Sequence, residues 1–428
     1  MTDKKSCDSD MVLSQTLLKG KSVDKTTGYL IDQDDCSVNF EPLFVAKEAR
    51  IYSDYPFRLY YYHPAIQENL IHTYTYDPDS NYTTYDPEQS VLDETREIKI
   101  REDGYVRLVF ENVEQNRLSE IIRISGKRKQ ALVQKAYFIQ EQKRMLERLD
   151  ALKEREDACF LLLADTHYGY GSVFPETVLN LKNLSREIHP QALIHLGDLT
   201  DGAQSTEISK EMAKRVLDGL GECNIPIELC IGNHDGNYFR GNKDVFTKKQ
   251  REEFYLGGKR EDRRVDIPEK KLSLLFLTTF DPTRKERYGF SAETIWNCLW
   301  MLKRKPKENR LLIFSHVPPV GEMHYWDPHI HNSKWMMKLL NHHQRRYHDI
   351  LAYIHGHNHA DSIYRRQSFP IVGIASNKPE DFLDRKPGGT TTPARKQGDV
   401  TQECFDVLLV KRDKVYFLRY GAGEDRVL

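Results

Sequence analysis

The sequence predicts an α/β domain over residues 157–428, led by a tail (1–20), a small mainly β module (21–126) and a linker helix (127–156). Three observations point there. From Ala158 onward, short apolar runs alternate with helical stretches, the pattern of a domain with buried strands. From about Tyr29 to Ile124 the pattern is strand-like and dense in tyrosine. Between the two, Ala131–Glu156 holds no glycine or proline and is rich in good helix formers.

In the first module, Leu59–Tyr62 is aromatic, Ile98-Lys99-Ile100 alternates, and Tyr105–Phe110 partly alternates. Asp77–Asn81 and Glu102-Asp103-Gly104 supply turn chemistry. In the helix, Leu132, Ile139 and Leu146 are spaced by seven and Leu149 follows. That spacing would suit either a short coiled-coil seam or a lone helix packed on the next domain. In the large domain the apolar runs are Phe160–Ala164, Ala192–Leu196, Ile225–Ile231, Leu272–Thr278, Leu311–Phe314, Ile350–Ile354, Ile371–Ile374, Phe405–Val410 and Val415–Leu418. The predicted helices are Pro175–Ile188, Glu207–Leu220, Ala292–Lys305 and Ser333–Arg346.

A chain of 428 residues exceeds one ordinary core and fits two or three domains. Its 63 lysines and arginines balance 64 acidic residues, so bulk charge predicts no nucleic-acid or membrane-surface partner, local patches aside. No apolar run approaches the roughly 18–20 residues of a membrane helix. The stretch Met1–Gly20 carries Lys4, Lys5, Asp8 and Asp10 and does not resemble a secretory signal. The expected compartment is the cytoplasm, although another secretion route or release by lysis would leave no mark. The seven cysteines are scattered and contain no C-x-x-C pair, which predicts reduced thiols.

Five apolar runs end in residues able to ligate metal. Phe160–Ala164 leads to Asp165 and His167, and Ala192–Leu196 to Gly197-Asp198. Ile225–Ile231 leads to Gly232-Asn233-His234-Asp235, Leu311–Ser315 to His316, and Ile350–His355 to Gly356-His357-Asn358-His359. In open α/β sheets, ligands bind beyond the carboxyl ends of strands, where several side chains can be aimed at one point. A donor set of Asp, His and Asn suits divalent metals of intermediate hardness: manganese, iron, zinc or nickel.

This series resembles the signature of the calcineurin-like metallophosphoesterases over roughly residues 157–380. The resemblance implies an α+β or α/β fold, a four-layer αββα sandwich of two mixed sheets. It implies that Asp165, His167 and His359 hold one divalent ion, that Asn233, His316 and His357 hold a second, and that Asp198 bridges them. Two cations at roughly 3.5–4 Å need a shared anion, which a carboxylate provides; a bridging hydroxide would then be the nucleophile. His234 would face the phosphate, stabilising the transition state or protonating the leaving oxygen. In the phosphoprotein phosphatase branch, an Asp three residues beyond the bridging Asp orients that histidine. Asp201 stands there, with a turn or helix cap as its other reading. That branch next has an arginine clamp; Gly202 stands in its place, which favours a phosphodiester over a phosphoprotein substrate.

Other candidates are less specific. His324, His329 and His331 fall in a loop after His316, read as substrate-contacting or solvated. His342, His343 and His348 are expected to be exposed and His195 to be core. Lys386–Lys396 is read as a cationic flap or a plain loop, and Arg284, Lys285 and Arg287 as a solvated turn. The predicted function is thus hydrolysis of a phosphoester. The alternatives are a metal-dependent nuclease, disfavoured by the neutral charge, and a particle or cell-surface attachment protein, for example of a phage tail. In the second alternative, residues 1–125 and the helix would target or assemble the enzyme.

Overall fold

The structure, a computed structural model, describes the chain except residues 1–14, 65–82, 126–132, 169–172, 203–204, 239–243 and 380–388 and positions 27, 29, 41, 283 and 397. It divides into two compact units, one built on the N-terminal strands and one on the chain from Gln134 onward.

The first unit is mainly β, as expected. Its strands are β1 (Leu17–Val23), β2 (Leu30–Asn39), β3 (Leu43–Val45), β4 (Arg50–Pro64), β5 (Thr83–Lys99), β6 (Gly104–Glu111) and β7 (Ile122–Ser125). All the pairings are antiparallel, in the order β1-β2-β6-β4-β5, with β3 on β6 and β7 on β4. Alternate residues of the two central strands, Phe57, Leu59 and Tyr61 on β4 and Val106, Leu108 and Phe110 on β6, supply the core. The expected tail ends sooner than read, because Leu17–Gly20 already belong to β1. Residues 1–14 and the turn Asp77–Asn81 lie outside the described residues.

The second unit holds two mixed sheets. The first contains β8 (Ala158–Leu163), β9 (Ala192–His195), β10 (Ile227–Leu229), β18 (Cys404–Val410), β19 (Val415–Gly421) and β20 (Arg426–Val427), ordered β10-β9-β8-β18-β19-β20. The second contains β11 (Arg263–Ile267), β12 (Leu272–Phe276), β13 (Arg310–Ser315), β14 (Ile350–His355), β15 (Asp361–Tyr364), β16 (Ile371–Gly373) and β17 (Thr390–Thr391), ordered β11-β12-β13-β14-β16-β15-β17. The helices are α1 (Ala136–Leu152), α2 (Phe174–Ile188), α3 (Thr206–Gly221), α4 (Lys248–Leu256), α5 (Ala292–Arg304) and α6 (Ser333–Tyr347).

Strand β8 shows why the central strands carry no polar face. Phe160 and Leu162 enter the core between the sheets, whereas Cys159, Leu161 and Leu163 face the core beneath α1, α2 and α3. Both faces are covered, so the strand is apolar throughout. A third core under α5 and α6 covers the outer face of the second sheet. The layers are therefore helix, sheet, sheet, helix.

The heptad reading of the helix fails. Phe138, Glu141, Met145 and Leu149 are its buried positions, while Ile139 is exposed. The apolar stripe follows 3.6-residue periodicity and packs into the unit's own core. Residues 127–132 of the expected helix lie outside the described residues.

A buried ionic network ties the two sheets together. Arg419 on β19 bonds Asp406 of its own sheet at 2.9 Å and Asp361 of the other sheet at 2.8 Å, and Arg426 bonds both aspartates. Burial opposes the charge on Asp406, yet the two arginines outweigh it and hold its pKa below the usual aspartate range. Stability from this carboxylate is thus present above the ordinary aspartate pKa and lost as pH falls through the depressed value. Arg419→Met leaves Arg426 as the network's remaining arginine beside two buried carboxylates and is expected to cost up to about 3–5 kcal/mol in urea unfolding; an unchanged midpoint would show that Arg419 contributes nothing net.

Among the described residues no helix is long and apolar enough to cross a membrane. Cys36, Cys159, Cys223, Cys230, Cys298 and Cys404 are free and buried, matching the reduced-thiol expectation, and Cys7 lies outside the described residues.

Candidate metal centre

The parallel strands β8, β9 and β10 of one sheet and β13 and β14 of the other end at the same place. The residues that follow them, Asp165, His167, Asp198, Asn233, His316, His357 and His359, are all at most 5% exposed. Asp165, His167, Asp198, His357 and His359 adopt left-handed backbone, with φ of 51°, 41°, 58°, 67° and 52°. Non-glycine residues there carry strain, and such strain concentrates where function demands it. The chain also closes tightly: a Cβ on Gly232 would lie 2.1 Å from Asp198 Oδ1.

Three groups could each hold a metal ion: Asp165 with His167 and His359, His167 with Asp198 and His234, and Asp198 with His316 and His357. His316 tests the fit. Its Nδ1–H donates to the Leu196 carbonyl at 2.9 Å. Its Nε2 is then surrounded by acceptors: Asn233 Oδ1 at 2.8 Å, Asp198 Oδ2 at 3.0 Å and His357 Nδ1 at 3.2 Å. Four nitrogen and oxygen atoms converging on one point suit a cation between them. Without one, the imidazole must itself carry the charge. Burial opposes this, but the Asp198 carboxylate prevails, and the His316 pKa rises to about 9. Likewise His167 Nδ1 bonds the Asp201 carboxylate at 2.9 Å, turning its Nε2 toward His359 Nε2 at 3.2 Å. A carboxylate behind a histidine is the usual support of a metal-ligating imidazole. The donor set fits two divalent cations.

His234 sits beside this cluster. Its backbone N–H donates to Asp198 Oδ1 at 2.8 Å, and its Nδ1 bonds the Asp201 carbonyl oxygen at 2.7 Å. Burial, above all, lowers its pKa to about 4. Asp201 meets His234 through its carbonyl oxygen, whereas its carboxylate bonds His167. Asp235 ties two ligand loops together by accepting the N–H groups of Asp198, Leu199 and Gly232 at 2.8–2.9 Å.

Several histidines differ from their reading. His324, expected in a loop at substrate or solvent, is buried and stacks on His357 with ring centroids 4.9 Å apart and planes 8° from parallel. Its Nε2 lies 2.9 Å from His357 Nε2, and its Nδ1 lies 2.5 Å from the Asp327 carbonyl oxygen and 2.9 Å from the Asp327 nitrogen. His343, expected exposed, is buried and bonds Asp349 at 2.9 Å. His195 is buried core, as read. Arg395, placed in the flap, is buried and donates to the carbonyls of Ser376, Asn377, Thr401 and Gln402. Lys386–Gly388 lie outside the described residues. Lys378, which no motif marked, brings its ammonium to 3.6 Å from Asp201 Oδ1.

None of the curated proteins matches the sequence. Among solved structures, a dimetal phosphatase from Danio rerio aligns at 16% identity and a TM-score of 0.46, over 63% of this chain and 98% of that one. Purple acid phosphatase PPD1 from yellow lupin seeds aligns at 10% identity and a TM-score of 0.40, over 90% of this chain and 73% of that one. Residues 160–361 match the family model of the calcineurin-like phosphoesterases, and the match spans every strand end described above. Residues 160–361 therefore form a calcineurin-like phosphoesterase domain, and the protein is a hydrolase that cleaves phosphoesters with two divalent metal ions.

Proposed function

We propose that this domain hydrolyses a phosphodiester, with Asp165, His167 and His359 holding one ion, Asn233, His316 and His357 the other, and Asp198 shared between them. The carrying observation for the ligands is the ring of acceptors around His316 Nε2. Bound there, the cations neutralise phosphoryl oxygens and lower the pKa of a water. The chain's own residues do the rest. Asp201 and the Leu196 carbonyl fix the tautomers of His167 and His316. The Asp201 carbonyl holds the His234 ring at Nδ1 and so fixes its orientation beside the cluster. An anionic ester beside that ring favours its protonated form, which can donate to a phosphoryl or leaving oxygen.

Support for a diester comes from Gly202. It has φ of +59°, and a Cβ there would lie 1.9 Å from the His234 carbonyl oxygen. No arginine fits, so the forked clamp suited to a doubly charged monoester is sterically barred at this position. Lys378 lies near, but its charge faces the Asp201 carboxylate. Bis-p-nitrophenyl phosphate is expected to be turned over faster than p-nitrophenyl phosphate by the manganese-loaded chain. Faster turnover of the monoester would overturn the diester reading and leave the phosphoesterase intact.

His324 supports His357 in this reading. Asp327 holds the His324 ring at Nδ1 through its backbone, His324 Nε2 meets His357 Nε2 at 2.9 Å, and His357 Nδ1 faces the cluster. His324→Leu is expected to weaken one ion's binding by about 10- to 100-fold. Competition against a metal-binding dye reads this, and two unchanged affinities would refute it.

A further inference from the structure

The outer helical layer carries an unusual surface. Strands β12, β13 and β14 run parallel and are joined through α5 and α6. Right-handed crossovers place both helices on the same face of the sheet, and both pack into one core. Their inward faces are apolar: Cys298 and Leu302 on α5, and Met336, Met337 and Leu340 on α6. Their outward faces are not ordinary polar surface. Trp296, Trp300, Trp335 and Tyr347 are 59%, 40%, 64% and 55% exposed. Every exposed tryptophan among the described residues is on these two helices.

The rings stand among cations. Lys303 and Arg304 lie over the Trp300 ring at 5.4 and 4.9 Å, Lys338 over Trp335 at 5.7 Å, and Arg346 over Tyr347 at 5.5 Å. Lys334 and Arg345 add two more exposed basic residues. The two helices contain one acidic residue, Glu293, and its carboxylate is bonded to Lys248. In a chain of net charge −1, this is a concentrated positive face.

We propose that the outward face of α5 and α6 docks the enzyme on the surface of a bilayer containing acidic phospholipids. Indole and phenol rings flanked by lysine and arginine suit the headgroup zone, where the apolar ring body sinks and the cations meet lipid phosphates. A second copy of the chain is the poorer occupant, because a two-fold contact on this face brings like charges together. Single-stranded nucleic acid needs open ring faces for base stacking. Here cations cover the faces of Trp300, Trp335 and Tyr347, and Trp296 packs against Trp300 at 76° between planes.

The test is co-sedimentation of the full chain with phosphatidylcholine vesicles, with and without phosphatidylserine. Two variants are compared: Trp296→Ser/Trp300→Ser/Trp335→Ser, and Lys303→Gln/Arg304→Gln/Lys338→Gln/Arg346→Gln. The native chain is expected to pellet only with phosphatidylserine vesicles and to be released by high salt. Partitioning should fall about fivefold for each charge removed, and the tryptophan variant should also lose binding. Turnover of a soluble chromogenic ester should stay unchanged, showing that both variants remain folded. No pelleting of the native chain, or equal pelleting of native and variants, overturns the proposal. So does a patch-dependent dimer in sedimentation, or patch-dependent binding of single-stranded DNA without vesicle binding.

Discussion

Asp198→Asn is expected to lower kcat/KM for a phosphoester by at least about a thousandfold. Removing one group that stabilises transition-state charge already costs about 100- to 1,000-fold, and this carboxylate belongs to two of the candidate ligand groups at once. Its Oδ2 lies 3.0 Å from His316 Nε2 and 3.6 Å from His167 Nε2, one imidazole from each proposed ion site. Burial opposes ionisation of Asp198, but His316 and His234 overcome it and hold the pKa well below the usual range. The group is therefore an anion at any working pH. The amide keeps its shape and removes its charge, so two cations would lose their common counter-charge. A variant retaining more than about a tenth of native kcat/KM, against the loss expected here, would contradict a bridging role.

The second large effect separates chemistry from metal binding. His234→Ala is expected to reduce kcat by about 100- to 10,000-fold, the range for loss of a positioned proton donor, while both ions stay bound. The ring's Nδ1 is committed to the Asp201 carbonyl, and its Nε2 stands 4.0 Å from Asp198 Oδ2. His234 also falls in one of the clusters that could ligate an ion. Loss of an ion together with activity would make it a ligand, and the proton-donor role would then fail.

The large-scale architecture was readable because two-sided burial writes long apolar runs. Strands β8, β12 and β13 start and end within two residues of their expected bounds, since no charged residue interrupts their interiors. Strand β11 escaped notice for the opposite reason: Arg-Arg-Val-Asp-Ile is an edge strand, paired only with β12. Strand β5 spans seventeen mostly polar residues and carries no period-two signal strong enough to find it. The helix seam misled because a spacing of seven also occurs along helices packed on a flat core, where Phe138 and Met145 hold the inward face and Ile139 points out.

The candidate site was readable to the extent that strand ends are punctuated by glycine and ligand-type residues. What no spacing conveys is which atom of a residue does the work. The spacing singles out Asp201 as a residue, and the fold shows that its carbonyl oxygen meets His234 while its carboxylate meets His167. His324 lies in an aperiodic loop beside two other histidines, and only the folded chain stacks it on His357. The steric ban at Gly202 arises from a contact with His234, 32 positions away in the chain.

The most direct test of the central claim is the metal content of the native chain after manganese loading and exhaustive dialysis, read by inductively coupled plasma mass spectrometry beside Asp198→Asn. About two ions per native chain, with fewer in the variant, is the predicted result. A native chain that retains no ion under replete conditions would contradict the dinuclear site and every residue role assigned to it.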